Sequence, residues 1–378
     1  FLLAINTVNA VSYNVVTFGA KADGRSDSTR AFMTAWTYAC GSVKPVTLYV
    51  PKGKYMVGAL QFNGPCKNGA ITIRIDGTLV APSNYFLLGN KQVWLRLYHV
   101  SGVTIVGGTL DGQGTGLWAC KASNSKNCPA GASSLEILNS KNVMVYGLTS
   151  VNSQLFHIVV NGCNNVAIVG ANVMAPWNSP NTDGIHVQLS TGVTILNSKI
   201  GTGDDCVSIG PGSTNLWVEG VTCGPGHGIS IGSLGKDYNE RGVQNVTVKR
   251  TTFRGTDNGL RIKSWARPSN GFVNGVLFQN AIMTNVQNPI VIDQNYCPVH
   301  NCPRQASGVK ISNVRYQDVH GTSATKVAVK LDCSKTYPCR GIKLQDVNLS
   351  FRNQRLASAY CANAAGTTSG VMKPTGCF

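Results

Sequence analysis

An apolar-x-apolar triplet recurs in two registers along most of the chain, and it limits the fold more than any other feature. Triplets of the first register begin at Leu135, Phe156, Ile185, Val207, Ile229, Leu260, Ile290 and Val327. A second register keeps step with the first: Val143/Val145, Val166/Ile168, Val193/Ile195, Leu216/Val218, Val246/Val248, Val276/Phe278, Val309/Ile311 and Ile342/Leu344. Asn or Gly precedes most of these pairs. Successive side chains of a strand point to opposite faces, so period-two runs of β-branched residues between turn formers specify short, half-buried strands. A return every roughly 20 to 35 residues fits one turn of a solenoid with several strands per turn. The expected fold is all-β, a right-handed parallel β-helix.

At 378 residues the chain has length enough for two or three domains. No linker, low-complexity run or charge block divides it, and a solenoid lengthens without splitting its core. A single domain over residues 13–378 is therefore expected. Residues 1–12 read as a signal-peptide remnant, with FLLAINTVNA ending in Val8-Asn9-Ala10. One helix interrupts the strand pattern near the start. Ser26 or Asp27 would cap it, and Ala31, Phe32, Ala35, Trp36 and Ala39 would line one side. Such a helix would cover the end of the solenoid, whose open coil would otherwise invite edge association.

Thirteen cysteines, spaced unlike a zinc module, point to disulfides and an oxidising compartment. Local neighbours suggest Cys40 with Cys66, Cys120 with Cys128, Cys206 with Cys223, Cys297 with Cys302, Cys333 with Cys339, and Cys361 with Cys377, leaving Cys163 free; spacing alone leaves the connectivity open. Two sequons, at Asn245 and Asn348, agree with secretion to the cell exterior. No segment is long enough to span a membrane.

The same repeat carries the candidate site. Asp183, Asp205 and His227 follow one another at 22-residue steps, each two positions before a triplet (Ile185/Val187, Val207/Ile209, Ile229/Ile231). Stacked coils would set them at equivalent places, about 4.8 Å apart, with Asp204 alongside. In the next coil Arg261 and Lys263 flank Ile262. With Ile262 inward, both cations face the side that holds the acids. The whole chain has 33 Lys and Arg against 16 Asp and Glu, a formal +17. That balance suits an acidic polysaccharide, a nucleic acid or an anionic surface, although charge alone also serves solubility.

Two carboxyl groups flanking one bond are what glycoside hydrolysis requires: one protonates the leaving oxygen and the other activates water or attacks the sugar. Crowded aspartates resist full ionisation, which keeps a proton available, and a nearby His can tune it. A lone Asp before a strand is more often a turn former, and Asp183 taken by itself reads that way. A metal site built from the acids and His227 is disfavoured by the competing cations. Gly112-Gln113-Gly114-Thr115-Gly116 lacks the Lys-Ser/Thr of a phosphate loop and reads as a turn. No metal and no cofactor is expected.

Asn181-Thr182-Asp183-Gly184, Gly203-Asp204-Asp205-Cys206, Gly226-His227-Gly228 and Arg261-Ile262-Lys263 resemble, in order, the four motifs of the polygalacturonases, glycoside hydrolases that act on pectin. The likeness runs from about Tyr13 to the C-terminus and is nearest to plant members, with FGAKADG, LDGQG, SPNTDGIH and CGPGHGISIGSLG all present. The resemblance implies hydrolysis of α-1,4-galacturonosidic bonds with inversion. It implies Asp205 as general acid, Asp183 and Asp204 as the groups that activate water, and His227 as support for the acid. It further implies substrate binding by Asn181, Arg261, Lys263 and Tyr296. The expected partner is polygalacturonate or pectin, acted on by a monomer in the cell wall or apoplast, with a proteinaceous inhibitor as a further partner and neither nucleic acid nor membrane involved. A pectate lyase and a non-catalytic pectin-binding protein are the competing readings.

Overall fold

The computed structural model describes residues 11–123, 125–298, 301–352 and 355–378. Strands wind into a right-handed parallel β-helix, pairing in parallel with their counterparts one coil on, except the short strand Arg355–Leu356, which folds back antiparallel on Cys339–Phe351. A central coil carries three strands, for example Thr191–Leu196, Lys199–Gly201 and Val207–Ile209. From Val243 onward the first two merge into one long strand, as in Val243–Arg254, Phe272–Val286, Lys310–Ser323 and Cys339–Phe351. The third strand of each coil builds a separate sheet of 11 strands among the described residues, running from Leu60–Asn63 to Ser358–Ala362. This sheet carries the candidate site.

Inward residues of the triplets form one continuous apolar stack, with Ile185, Val207, Ile229, Leu260 and Ile290 all fully buried. Six of the eight first-register triplets align as expected. Two are corrected: Ile158/Val160, not Phe156/Ile158, pair with Leu135/Ile137, and Val329/Leu331, not Val327/Val329, pair with Ile290/Ile292. A shift of two residues preserves the face on which side chains lie, so alternation determines the face and leaves the position free. In the second register Val314/Tyr316, not Val309/Ile311, continues Val276/Phe278, while Ile311 pairs with Val273. The long strand presents two inward segments there, separated by one residue in the left-handed region.

That left-handed residue repeats from coil to coil and accounts for the Asn or Gly before each pair. Gly102, Asn142, Asn165, Gly192, Asn215, Asn245, Gly275, Asn313 and Gly341 all have φ between 53° and 69°. Glycine and asparagine tolerate this conformation best. The asparagine amides also join coils: Asn165 Nδ2 donates to Asn142 Oδ1 at 2.8 Å and Asn245 Nδ2 to Asn215 Oδ1 at 2.6 Å.

The predicted helix spans Thr29–Gly41 and buries Ala31, Phe32, Ala35, Trp36 and Ala39. Phe32 meets Tyr55 edge-on at 6.1 Å, and Trp36 packs on Phe62 at 4.8 Å while donating Nε1–H to Asn63 O. Its boundary differs from expectation. Ser28 occupies the cap position, the Asp27 carboxylate accepts the Thr29 N–H at 2.9 Å, and the Ser26 hydroxyl donates instead to Asp23.

All six expected disulfides are present. Cys163 is free and buried because it occupies a place in an interior serine stack. Its N–H donates to Ser190 Oγ at 2.9 Å, and its thiol donates to Ile137 O at 3.2 Å. Of the residues 1–12 read as a signal-peptide remnant, 1–10 lie outside the described residues, while Val11 and Ser12 pair with Val46 and Thr47. No helix among the described residues is long and apolar enough to cross a membrane.

Cys206–Cys223 lies within the core beside Asp205 and closes a loop of sequence separation 17. Such loops stabilise by about 3 kcal/mol through the unfolded state. The double variant Cys206→Ser/Cys223→Ser is therefore expected to unfold at a lower temperature by several degrees, measured by circular dichroism against wild type. The same treatment of Cys297 and Cys302, which span a separation of 5, should cost less.

Candidate active site

Four corner loops feed the 11-stranded sheet where the acids lie, ahead of strands Ile185–Gln188, Val207–Ile209, Ile229–Leu234 and Asn258–Trp265. Ile185, Val207, Ile229 and Leu260 are in register, so Asp183, Asp205 and His227 occupy equivalent places as the spacing predicts. The loops stack backbone on backbone: Gly184 N–H donates to Asp205 O at 2.9 Å and Cys206 N–H to Gly228 O at 2.8 Å. Two glycines permit this closeness. Gly228 has φ of +89° and a Cβ there would collide with the carbonyls of Asn258 and Gly259; a Cβ on Gly203 would strike the Ser179 backbone.

Asp205 is the most constrained group. Its side chain is 1% exposed. Arg261 Nη2 donates to Oδ1 at 2.6 Å, Lys263 Nζ to Oδ2 at 2.8 Å, and Ser230 Oγ to Oδ1 at 2.8 Å. Burial alone would raise its pKa, but Lys263 and Arg261 outweigh burial and hold the carboxyl at about 2. Asp183 goes the other way: burial, reinforced by the charges of Asp204 and Asp205, pushes it well above the usual carboxylate range. The site is thus poised to keep a proton on Asp183 while Asp205 stays ionised.

Asp204 is the acid that opens towards solvent, with 18% of its side chain exposed. Its Oδ1 accepts the Asp205 N–H at 2.8 Å and lies 3.0 Å from His227 Nδ1; Asn181 Nδ2 donates to Oδ2 at 3.4 Å. Asn181 reaches this point from a left-handed backbone at φ +54°. The hydrogen bond to Asp204 raises the His227 pKa against the opposing effect of burial. His227 Nε2 also lies 3.5 Å from Asp257 Oδ2.

Tyr296 joins the site through Lys263, whose Nζ sits 5.0 Å from the centre of its ring, and it meets Trp265 edge-on at 5.5 Å. All eight candidate residues are therefore connected: Asn181, Asp204 and His227 by one hydrogen-bonded chain, Asp205 with Arg261, Lys263 and Tyr296 by another, and Asp183 by its electrostatic coupling to both. Sequence reasoning missed Ser230, Asp257 and His186. Ser230 bridges Asp205 and Arg261, and His186 Nδ1 lies 2.8 Å from Ser208 Oγ. His186, Ser208, Ser230 and Arg261 are successive rungs of one outward row. The middle letter of each triplet was the available signal.

Two expectations concern groups that the structure pairs with one another. Asp205, which the resemblance implies as general acid, is gripped by two cations that hold its carboxyl at about 2, surroundings that suit an anion. Arg261 and Lys263 are not free cations awaiting a substrate; both are largely buried and committed to Asp205. The donor atoms of Asp204, Asp205 and His227 lie within 4.8 Å of one another, close enough for a metal ion. Both Asp205 oxygens are already taken by cations, so the donor set suits a dipositive ion poorly.

The family model of the glycosyl hydrolases family 28 matches residues 40–370. The chain belongs to this glycoside hydrolase family. A polygalacturonase of Prunus persica is 62% identical over 100% of this chain and 97% of its own length. An exopolygalacturonase of Platanus acerifolia is 45% identical over 96% of each chain. Among solved structures, the polygalacturonase of Erwinia carotovora superposes with a TM-score of 0.74 at 26% identity, covering 96% of this chain and 95% of that one. The plant-type, family 28 character inferred from the four motifs thus extends over the whole length of the chain, and the β-helix is the fold of its relatives.

Asp205 stabilises the folded state above the ordinary Asp pKa of about 3.9, and that contribution is lost as pH falls towards about 2. Asp183, with its pKa raised, acts oppositely and becomes costly as pH rises through the carboxylate range. Lys263→Met removes one of the two cations and is expected to raise the Asp205 pKa by about 1 unit or more, read by carboxyl-carbon NMR titration. An unchanged titration would show that Lys263 does not hold Asp205 ionised.

Proposed function

We propose that this protein hydrolyses α-1,4-galacturonosidic bonds of polygalacturonan, with Asp204 delivering the proton and ionised Asp205 orienting the water that attacks. The observation that carries the reading is the opposed treatment of the adjacent aspartates. Asp205 is locked as an anion by Arg261 and Lys263, while Asp204 opens to the groove and rests on a His227 with raised pKa. Family membership and the polygalacturonase relatives support the substrate class.

In this reading Asp204 donates its proton to the glycosidic oxygen as the C–O bond breaks, and His227, charged, limits the loss of that proton to solvent. Ionised Asp205 accepts the one proton that the incoming water gives up, with Asp183 alongside it. A carboxylate neutralised by two cations is a weak nucleophile, which favours water over a covalent sugar ester and supports the inverting course. Arg261 and Lys263 also lie where a galacturonate carboxylate could share their remaining N–H groups, next to Asn181 and Tyr296. Six disulfides and the extracellular polysaccharide substrate support secretion to the cell wall. A net charge of +17 supports a monomer, through self-repulsion, and attraction to an acidic matrix.

The roles of the two acids separate by leaving group. Asp204→Asn is expected to lower kcat on polygalacturonate by about 10²–10⁴-fold yet recover much of that loss on an aryl galacturonide, whose leaving group needs no protonation. Asp205→Asn should lose activity on both substrates. Recovery by Asp205→Asn instead would return the acid role to Asp205. The alkaline limb of kcat/KM is expected above the ordinary His pKa of about 6.5, because the His227 pKa is raised. Activity should fall as pH rises through that limb, and His227→Gln should displace it; an unmoved limb would remove His227 from the proton path.

A further inference from the structure

The outer surface of the long strands, away from the sheet that bears the acids, carries a second charge feature. On strands Lys310–Ser323 and Cys339–Phe351 the exposed charged positions are Lys310, Arg315, Arg340 and Lys343, with Asp318 and Asp346 at the left-handed corners beyond them. Arg315 and Lys343 are direct neighbours in register, and Arg340 is in register with Ser312 beside them. Strands of a sheet lie about 4.8 Å apart, so like charges in register repel and are destabilising unless a counter-charge is present.

Elsewhere on this surface such charges are matched. Glu219 takes Lys249 at 3.6 Å and Arg250 as well, and Asp76 takes Arg74 at 3.1 Å. Among the described residues, none of the four cations has an ion-pair partner. The carboxylates at the ends of these strand segments are engaged otherwise: Asp318 accepts from Asn280 Nδ2 at 2.6 Å and lies 3.3 Å from His320, and Asp346 accepts the Val371 N–H. Alongside the cations runs a row of amides, Gln279, Gln317 and Gln345, in register across three strands. Lys310 lies 5.6 Å from the ring centre of Tyr337 at the margin.

We infer that this face is a second binding surface for an extended acidic polysaccharide, holding the polymer away from the cleavage site. The cations meet carboxylates repeated along a chain, and the glutamine row offers donors and acceptors to sugar hydroxyls. A flat, two-row surface fits an extended strand rather than a compact ligand. It rests on the reading of polygalacturonan as substrate for the identity of the polymer, and supplies local concentration instead of chemistry. Screening by salt should weaken it, since the groups are exposed.

The test uses Arg315→Glu/Lys343→Glu, with Arg315→Gln/Lys343→Gln as the milder variant in case charge reversal impairs folding. Neither residue touches the acids. Electrophoresis through gels containing polygalacturonate is expected to retard wild type strongly, the neutral variant less and the reversed variant least, with no retardation of any of them in gels of fully methyl-esterified pectin. In kinetics at low salt, KM for the polymer should rise about fivefold or more while kcat and all constants on trigalacturonate stay within twofold of wild type; added salt should erase the difference. Equal retardation of wild type and both variants, or equal losses on polymer and trimer, would overturn the inference. Failure of wild type to cleave either substrate would overturn the proposed reaction, while the gel assay would still report on the surface. Equal retardation in gels of polyglutamate would show a general polyanion surface and overturn its assignment to the polysaccharide.

Discussion

The grip of Arg261 and Lys263 on Asp205 is the interaction on which the site depends. A buried carboxylate is stable only when charge and hydrogen bonds repay its desolvation, and here two cations and Ser230 do so. The fixed anion then acts on its neighbours: it helps raise Asp183 and His227, and so sets where the site keeps its protons. Removing one cation should therefore be felt at three titrating groups.

The β-helix makes that grip available. Arg261 and Asp205 are 56 residues apart in sequence and Lys263 and Asp205 are 58 apart, yet each pair is only a coil or two apart along the stack. Backbone pairing fixes the rungs, the Cys206–Cys223 bridge lies directly beneath, and Gly228 lets the loop bearing His227 approach the next one. Precision at the site is inherited from the regularity of the core.

Much of this was legible in the chain. The triplets gave coil spacing and face, the Asn and Gly preceding them marked the left-handed corners, and 22-residue steps brought Asp183, Asp205 and His227 to equivalent rungs. Phe156 and Val327 were placed two residues early because alternation is blind to a shift of two. Local proximity suggested the six disulfides without fixing their connectivity, while Cys163 made sense only once its serine neighbours were seen. The different surroundings of Asp204 and Asp205 were illegible: adjacent identical letters receive opposite environments, decided for Asp205 by residues two coils away. Asp257 was missed for the same reason, while Ser230 stood at a middle letter of the triplets that the apolar pattern leaves unread.

The most direct test of the central claim is the product formed from unesterified polygalacturonate in the presence of a chelator, with reducing ends and ultraviolet absorbance followed together. The account predicts that reducing ends accumulate with no rise in absorbance, because water adds across the bond and no metal takes part. Absorbance rising in step with chain cleavage would show elimination, and binding without any new ends would show a pectin-binding protein; either result would contradict the hydrolytic site described for Asp183, Asp204 and Asp205.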